Sequence, residues 1–161
     1  MKKHVIQCEF ERYENAAELS TEDQELYAKA VEISTNAYAP YSAFNVGSAV
    51  KLANGEIIVG TNQENIAYPS GLCAERVALF SAHTLFPNEK IESIAIFAFS
   101  KDFAVDEVVS PCGACRQVIA EYEGISKQPI SVIMGSEAGI IKTNGVNQLL
   151  PFRFSSTGLK N

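Results

Sequence analysis

Ile94-Ala95-Ile96-Phe97-Ala98-Phe99 is apolar at every position, with no alternation between core and solvent. A run that short and that uniform predicts a strand covered on both faces, at the middle of a sheet. Toward the C-terminus, residues 112–122 are patterned as a helix and residues 130–134 are β-rich. Toward the N-terminus, residues 73–82 read as a helix closed by Pro87. Before them, two β-rich runs, 46–52 and 56–62, flank the hairpin signal Ala53-Asn54-Gly55. Ser20-Thr21-Glu22-Asp23 opens a further helix as a capping box. Leu26, Ala30, Ile33 and Ala37 carry its apolar face, and Pro40 is expected to end it.

Strands alternating with helices imply parallel crossovers. Residues 135–139 are too few for another crossover, so the strand at residues 140–143 should pair antiparallel with the one before it. A chain of 161 residues, 47% of them hydrophobic, buries one core. We divide it into a charged, weakly patterned N-terminal extension, residues 1–19, and one domain, residues 20–161.

Thirteen basic residues against nineteen acidic ones leave a net charge of −6 with no Lys/Arg run, which argues against a polynucleotide partner. No apolar stretch approaches the ~18 residues that span a bilayer, and Glu9 interrupts the start before a secretion signal could form. The expected setting is the cytoplasm, with no membrane partner.

Three of the four cysteines fall in Cys73-Ala74-Glu75 and Pro111-Cys112-Gly113-Ala114-Cys115. Both motifs lie where a strand hands over to a helix, at the sheet edge where ligands of open α/β folds bind. Three protein ligands leave a tetrahedral zinc one open position, as in catalytic sites. A structural site needs a fourth ligand, for which Cys8, His4 and His83 are available but lack suitable spacing. Alone, Cys112-x-x-Cys115 also fits a redox pair or two core cysteines, and Glu75 alone fits a cap on the helix dipole. Together they narrow to a zinc centre with Glu75 as the proton carrier. Arg76 and Arg116 each follow a motif residue, and read either as donors to thiolate sulfur or as solvated arginines.

Tyr41-Ser42-Ala43-Phe44-Asn45-Val46-Gly47, Asn62-Gln63-Glu64-Asn65, Tyr68-Pro69-Ser70-Gly71-Leu72-Cys73-Ala74-Glu75-Arg76 and Ser110-Pro111-Cys112-Gly113-Ala114-Cys115-Arg116-Gln117 resemble, in order and spacing, the motifs of the small homotetrameric zinc-dependent cytidine deaminases. The resemblance covers roughly residues 25–154. It implies an α/β fold, a three-layer α/β/α sandwich on a mixed five-stranded sheet whose last two strands are antiparallel. It implies one zinc ion per subunit on Cys73, Cys112 and Cys115, with Glu75 catalytic and a free nucleoside as substrate. Phe44 would border the base and sugar, Asn62 and Glu64 would bind the ribose hydroxyls, and the Ala74 N–H would meet the exocyclic oxygen of the base. Tyr68 and Phe154 would reach a neighbouring subunit's site, within a homotetramer. Gln63 and Ile66-Ala67 depart from the family pattern. From the residues alone, Asn62-x-Glu64 also reads as a polar turn, and Phe154 as packing for a C-terminal segment. Two other functions remain: deamination of a different aminated pyrimidine, such as a nucleoside antibiotic or an RNA base, and a zinc-stabilised binding module without catalysis.

Overall fold

The computed structural model describes residues 1–155; residues 156–161, the end of the expected 20–161 domain, lie outside the described residues. Six strands form one mixed sheet: β1 (Glu11–Tyr13), β2 (Phe44–Leu52), β3 (Ile57–Thr61), β4 (Ile91–Ser100), β5 (Ser131–Ser136) and β6 (Gly139–Asn144). Their spatial order is β1-β6-β5-β4-β2-β3. Three helices, α1 (Thr21–Ser34), α2 (Ala74–Leu85) and α3 (Gly113–Ser126), cover the two faces.

The apolar run at 94–99 lies within β4, between β5 and β2, and is buried on both sides as its composition demands. Ile94, Ile96 and Ala98 join Val50, Val132 and Met134 against α2 and α3. Ala95 and Phe97 turn the other way, with Ala49 and Ile133, against Leu26, Tyr27 and Ala30 of α1. The strand period of two thus builds three layers, with α1 on one side of the sheet and α2 and α3 on the other.

β4 and β5 pair parallel across α3, and β5 and β6 pair antiparallel, as expected. β3 and β4 also run the same way across α2, but they are not neighbours. β2 lies between them, antiparallel to both. The hairpin turn uses a single left-handed residue, Gly55 (φ 90°), with Gly55 N–H donating to Leu52 O at 2.9 Å. This is the three-residue hairpin in which a glycine bulge follows a type I turn.

Two expectations are corrected. Helix α1 stops at Ser34, well short of Pro40. The Ser34 and Thr35 hydroxyls donate to the carbonyls of Val31 and Glu32 (2.7 and 3.0 Å), and the chain then leaves to pair Tyr38 with Gln63. The sheet has six strands rather than five, because Glu11–Tyr13 pairs antiparallel with β6. Nearby Leu19 is buried, with the core around α1. Among the described residues no helix is long and apolar enough to cross a membrane.

Both helical layers touch the sheet backbone to backbone. A Cβ on Gly47 would lie 2.1 Å from the Ala30 carbonyl of α1. A Cβ on Gly60 would lie 2.6 Å from Ala78 N and 2.8 Å from Ala74 O, in the first turns of α2. Neither neighbour can rotate away, since each is main chain. Gly60→Ala is therefore expected to destabilise the protein by about 2 kcal/mol or more. The check is a urea titration, in which the midpoint falls while the slope is retained; an unchanged midpoint refutes this contact.

Candidate metal and nucleoside site

Cys73 is the N-cap of α2 and Cys112 the N-cap of α3, each with extended backbone and neither using its side chain as a cap. What brings Cys73 to the end of β3 is a backbone pair made by Gln63 and Leu72. Gln63 N–H donates to Leu72 O at 2.9 Å, and Leu72 N–H returns to Gln63 O at 3.0 Å. Cys115, in the first turn of α3, then faces the same point as Cys112, its side chain one turn along the helix.

The three sulfurs gather within 4.8 Å of one another. Cys73 Sγ lies 3.7 Å from Cys112 Sγ, and Cys112 Sγ 3.5 Å from Cys115 Sγ. A tetrahedral ion with ~2.3 Å bonds to sulfur requires sulfur–sulfur edges of about 3.8 Å, so the donor set and its spacing both fit zinc. Among the described residues no fourth cysteine, histidine or carboxylate joins the group. His83 packs instead on the Tyr122 ring at 5.4 Å, and Cys8 is exposed, so neither completes a closed structural site.

The electrostatics suit thiolates. Cys73 is drawn down to about 5, first by the hydrogen bond from Cys115 and then by Arg76, whose guanidinium lies 3.5 Å from its sulfur. Cys115, fully buried, is pushed up, first by the hydrogen bond it gives Cys73 and then by burial. Arg76 thus acts on sulfur directly. Arg116 does not: its guanidinium donates to Pro111 O, Leu149 O and Ser110 Oγ at 2.7, 2.7 and 3.0 Å.

Glu75 is only 4% exposed, and burial pushes its carboxyl above the ordinary value, with the Cys73 charge adding in the same direction. It lines a cavity of about 550 Å³ together with Cys73 and Cys112. That volume lies within the roughly 300–1,000 Å³ usual for small-molecule sites. Phe44, Asn62, Glu64 and Tyr68 line the same cavity. Ala74 is the first residue of α2, so its N–H is one of the four that a helix leaves without an internal partner. Phe154 stands apart, 76% exposed, with its backbone N–H and C=O both bonded to the Gln117 amide (3.1 and 2.9 Å).

Two of these polar groups are already partly engaged. Asn62 Oδ1 accepts from Val46 N–H at 2.8 Å and its Nδ2 donates to Phe44 O at 2.9 Å. β2 starts at Phe44 rather than at 46 because Phe44 and Asn45 pair with Ser100 and Phe99 of β4. Glu64 accepts from the Ser42 hydroxyl and from the Tyr41 and Ser42 N–H groups. Those bonds, that of the Ser42 hydroxyl foremost, hold its carboxyl below the ordinary range, hence ionised. Sequence reasoning gave Tyr41 and Ser42 no role. It also missed Phe103, whose ring stacks on Phe44 at 6.3 Å with 4° between the planes. The Ser42-to-Glu64 link joins positions too far apart in sequence for spacing to reveal it. Phe103 lies in a polar loop with no pattern to mark it.

Three thiols on two helix starts, with a buried carboxyl and a cavity beside them, form a site able to hold zinc. Comparison with known proteins says which kind. A family model described as "Cytidine and deoxycytidylate deaminase zinc-binding region" matches residues 20–132. The cytidine deaminase of Halalkalibacterium halodurans is 37% identical over 138 residues, covering 86% of this chain and 98% of that one. The cytidine deaminase of Sporosarcina psychrophila is 39% identical over 136 residues, covering 84% and 93%. A crystal structure of cytidine deaminase from Burkholderia pseudomallei superposes with a TM-score of 0.68 at 34% identity, covering 81% of this chain and 97% of that one. The chain belongs to the cytidine and deoxycytidylate deaminase family.

Cys112→Ala removes one of three ligands and leaves the other two sulfurs on separate helices. Metal analysis of the purified variant is expected to show zinc lost, against about one ion per chain in the unaltered protein. Full occupancy in the variant rules out this ligand set.

Proposed function

We propose that the protein hydrolyses cytidine and 2′-deoxycytidine to uridine and 2′-deoxyuridine, releasing ammonia, in the cytoplasm. The observation that carries this reading is the Glu75 carboxyl, buried in the lining of the cavity beside three thiols spaced for zinc. When bound, zinc supplies a Lewis acid that lowers the pKa of a water in its open position.

Glu75 would take a proton from the attacking water and deliver it to N3 of the base as the oxygen attacks C4, with Cys73, Cys112 and Cys115 as the residues that would hold the metal. Glu75 then takes the proton of the new C4 hydroxyl and passes it to the amine, which leaves as ammonia as the C4–N bond breaks and the C4=O bond forms. Burial favours a carboxyl that holds a proton between these transfers. Arg76 offsets the excess negative charge, since three thiolates outweigh a divalent ion by one unit.

Substrate placement follows from the bonds left over. Asn62 retains one N–H and one lone pair, and Glu64 retains carboxylate lone pairs, a donor and acceptors suited to ribose hydroxyls. Phe44 forms the wall beside the base and sugar, and the Ala74 N–H takes the exocyclic oxygen. Tyr68 and Phe154, 76% exposed in one chain, suit a homotetramer in which they complete a neighbour's site.

Ultraviolet assays of cytidine, 2′-deoxycytidine and other aminated pyrimidines, with and without a chelator, test the reading. Both nucleosides should turn over, and chelation should abolish turnover. Glu75→Gln is expected to keep zinc and lose at least 10²–10⁴-fold in kcat. Near-normal turnover in a zinc-loaded Glu75→Gln protein refutes the proton-transfer role.

A further inference from the structure

We propose that Arg116 is a positioning residue for the metal-binding loop, acting through the Pro111 carbonyl rather than through sulfur. The inference rests on the zinc reading of the three cysteines, and concerns retention of the ion rather than the chemistry.

The three ligands are not held equally. Cys115 is fully buried, and Cys73 is half-buried with Arg76 against its sulfur. Cys112 is exposed at its N-cap, where its side chain makes no capping bond to hold it. Apart from its contacts with the other two sulfurs, its direction is set by the backbone that carries it. The nearest peptide is that between Pro111 and Cys112. Its carbonyl belongs to Pro111, and proline has no N–H with which to anchor the peptide before it. Arg116 Nε donates to that carbonyl at 2.7 Å.

The same guanidinium has a firm footing on the far side. It donates there to Leu149 O at 2.7 Å, and to Ser110 Oγ, in the metal-binding loop itself, at 3.0 Å. Leu149 follows a short 3₁₀ turn, Val146–Gln148, that is itself anchored. Val146 is fully buried, and its N–H donates at 2.7 Å to Glu123 Oε1, which also accepts from Ile130 N–H at 3.0 Å. A planar fork thus spans from a buried anchor to the peptide preceding the most exposed ligand, and resists rotation of that peptide plane. Lysine, with one nitrogen and no fork, cannot reproduce three bonds in fixed directions.

The test uses zinc-loaded wild type, Arg116→Lys, Arg116→Ala and Leu26→Ala, the last a core deletion in the opposite layer. Zinc release to an excess of chromogenic chelator is timed for each, alongside its Tm. Both Arg116 variants are expected to release zinc about 10–100-fold faster than wild type. Leu26→Ala should release it at close to the wild-type rate despite a lowered Tm. Millimolar guanidinium should slow release from Arg116→Ala and leave Arg116→Lys unchanged. Release from the Arg116 variants at the wild-type rate, or faster only in proportion to Tm as set by Leu26→Ala, overturns the positioning role. A wild-type protein that binds no zinc overturns the zinc reading, and this inference with it.

Discussion

Helix α2 lies against strand β3 main chain to main chain at Gly60, with no room for even a methyl group between them. This contact fixes where the first turn of α2 begins, and that turn carries Cys73, Glu75 and Arg76. The paired backbone of Gln63 and Leu72 holds the intervening loop to the same place. On the opposite face, Gly47 of β2 admits α1 just as closely, so the β2–β3 hairpin is gripped between two helical layers. The thiol cluster therefore depends on backbone packing, which deforms less readily than side-chain packing.

Charge organises the site around that geometry. The starts of two helices meet at the sulfurs and favour thiolate, and Arg76 adds a full positive charge beside Cys73. Glu75 lies in the same turn but out of water, where its carboxyl is pushed up instead of down. Adjacent groups on one helix end are thus driven toward opposite protonation states. Glu64, in the lining of the same cavity, is held ionised by its bonds to Ser42 and Tyr41. The cavity is thus lined by one carboxyl that favours its proton and another held ionised.

Much of this was legible in the residues. The uniform run at 94–99 marks the central strand because strands buried on both faces have no reason to alternate. The cysteines and Glu75 are legible because metal chemistry restricts both residue type and spacing. Other features depend on partners distant in sequence. The end of α1 is decided by the pairing of Tyr38 with Gln63, which no local signal announces. Strand β1 is Glu-Arg-Tyr, joined to β6 through backbone bonds that composition does not register. Arg116 is adjacent to a ligand in sequence, yet two of its three acceptors are carbonyls, one of them in a segment 33 residues away. The resemblance to cytidine deaminases supplied the substrate; the residues by themselves supplied an open metal site and an acid–base partner.

Zinc K-edge X-ray absorption on the purified protein tests the central claim most directly, because it counts the atoms around the ion. Three sulfurs at ~2.3 Å and one oxygen at roughly 2.0–2.2 Å are predicted, the open catalytic shell. Four protein ligands, whether a fourth sulfur or a histidine nitrogen, would contradict it.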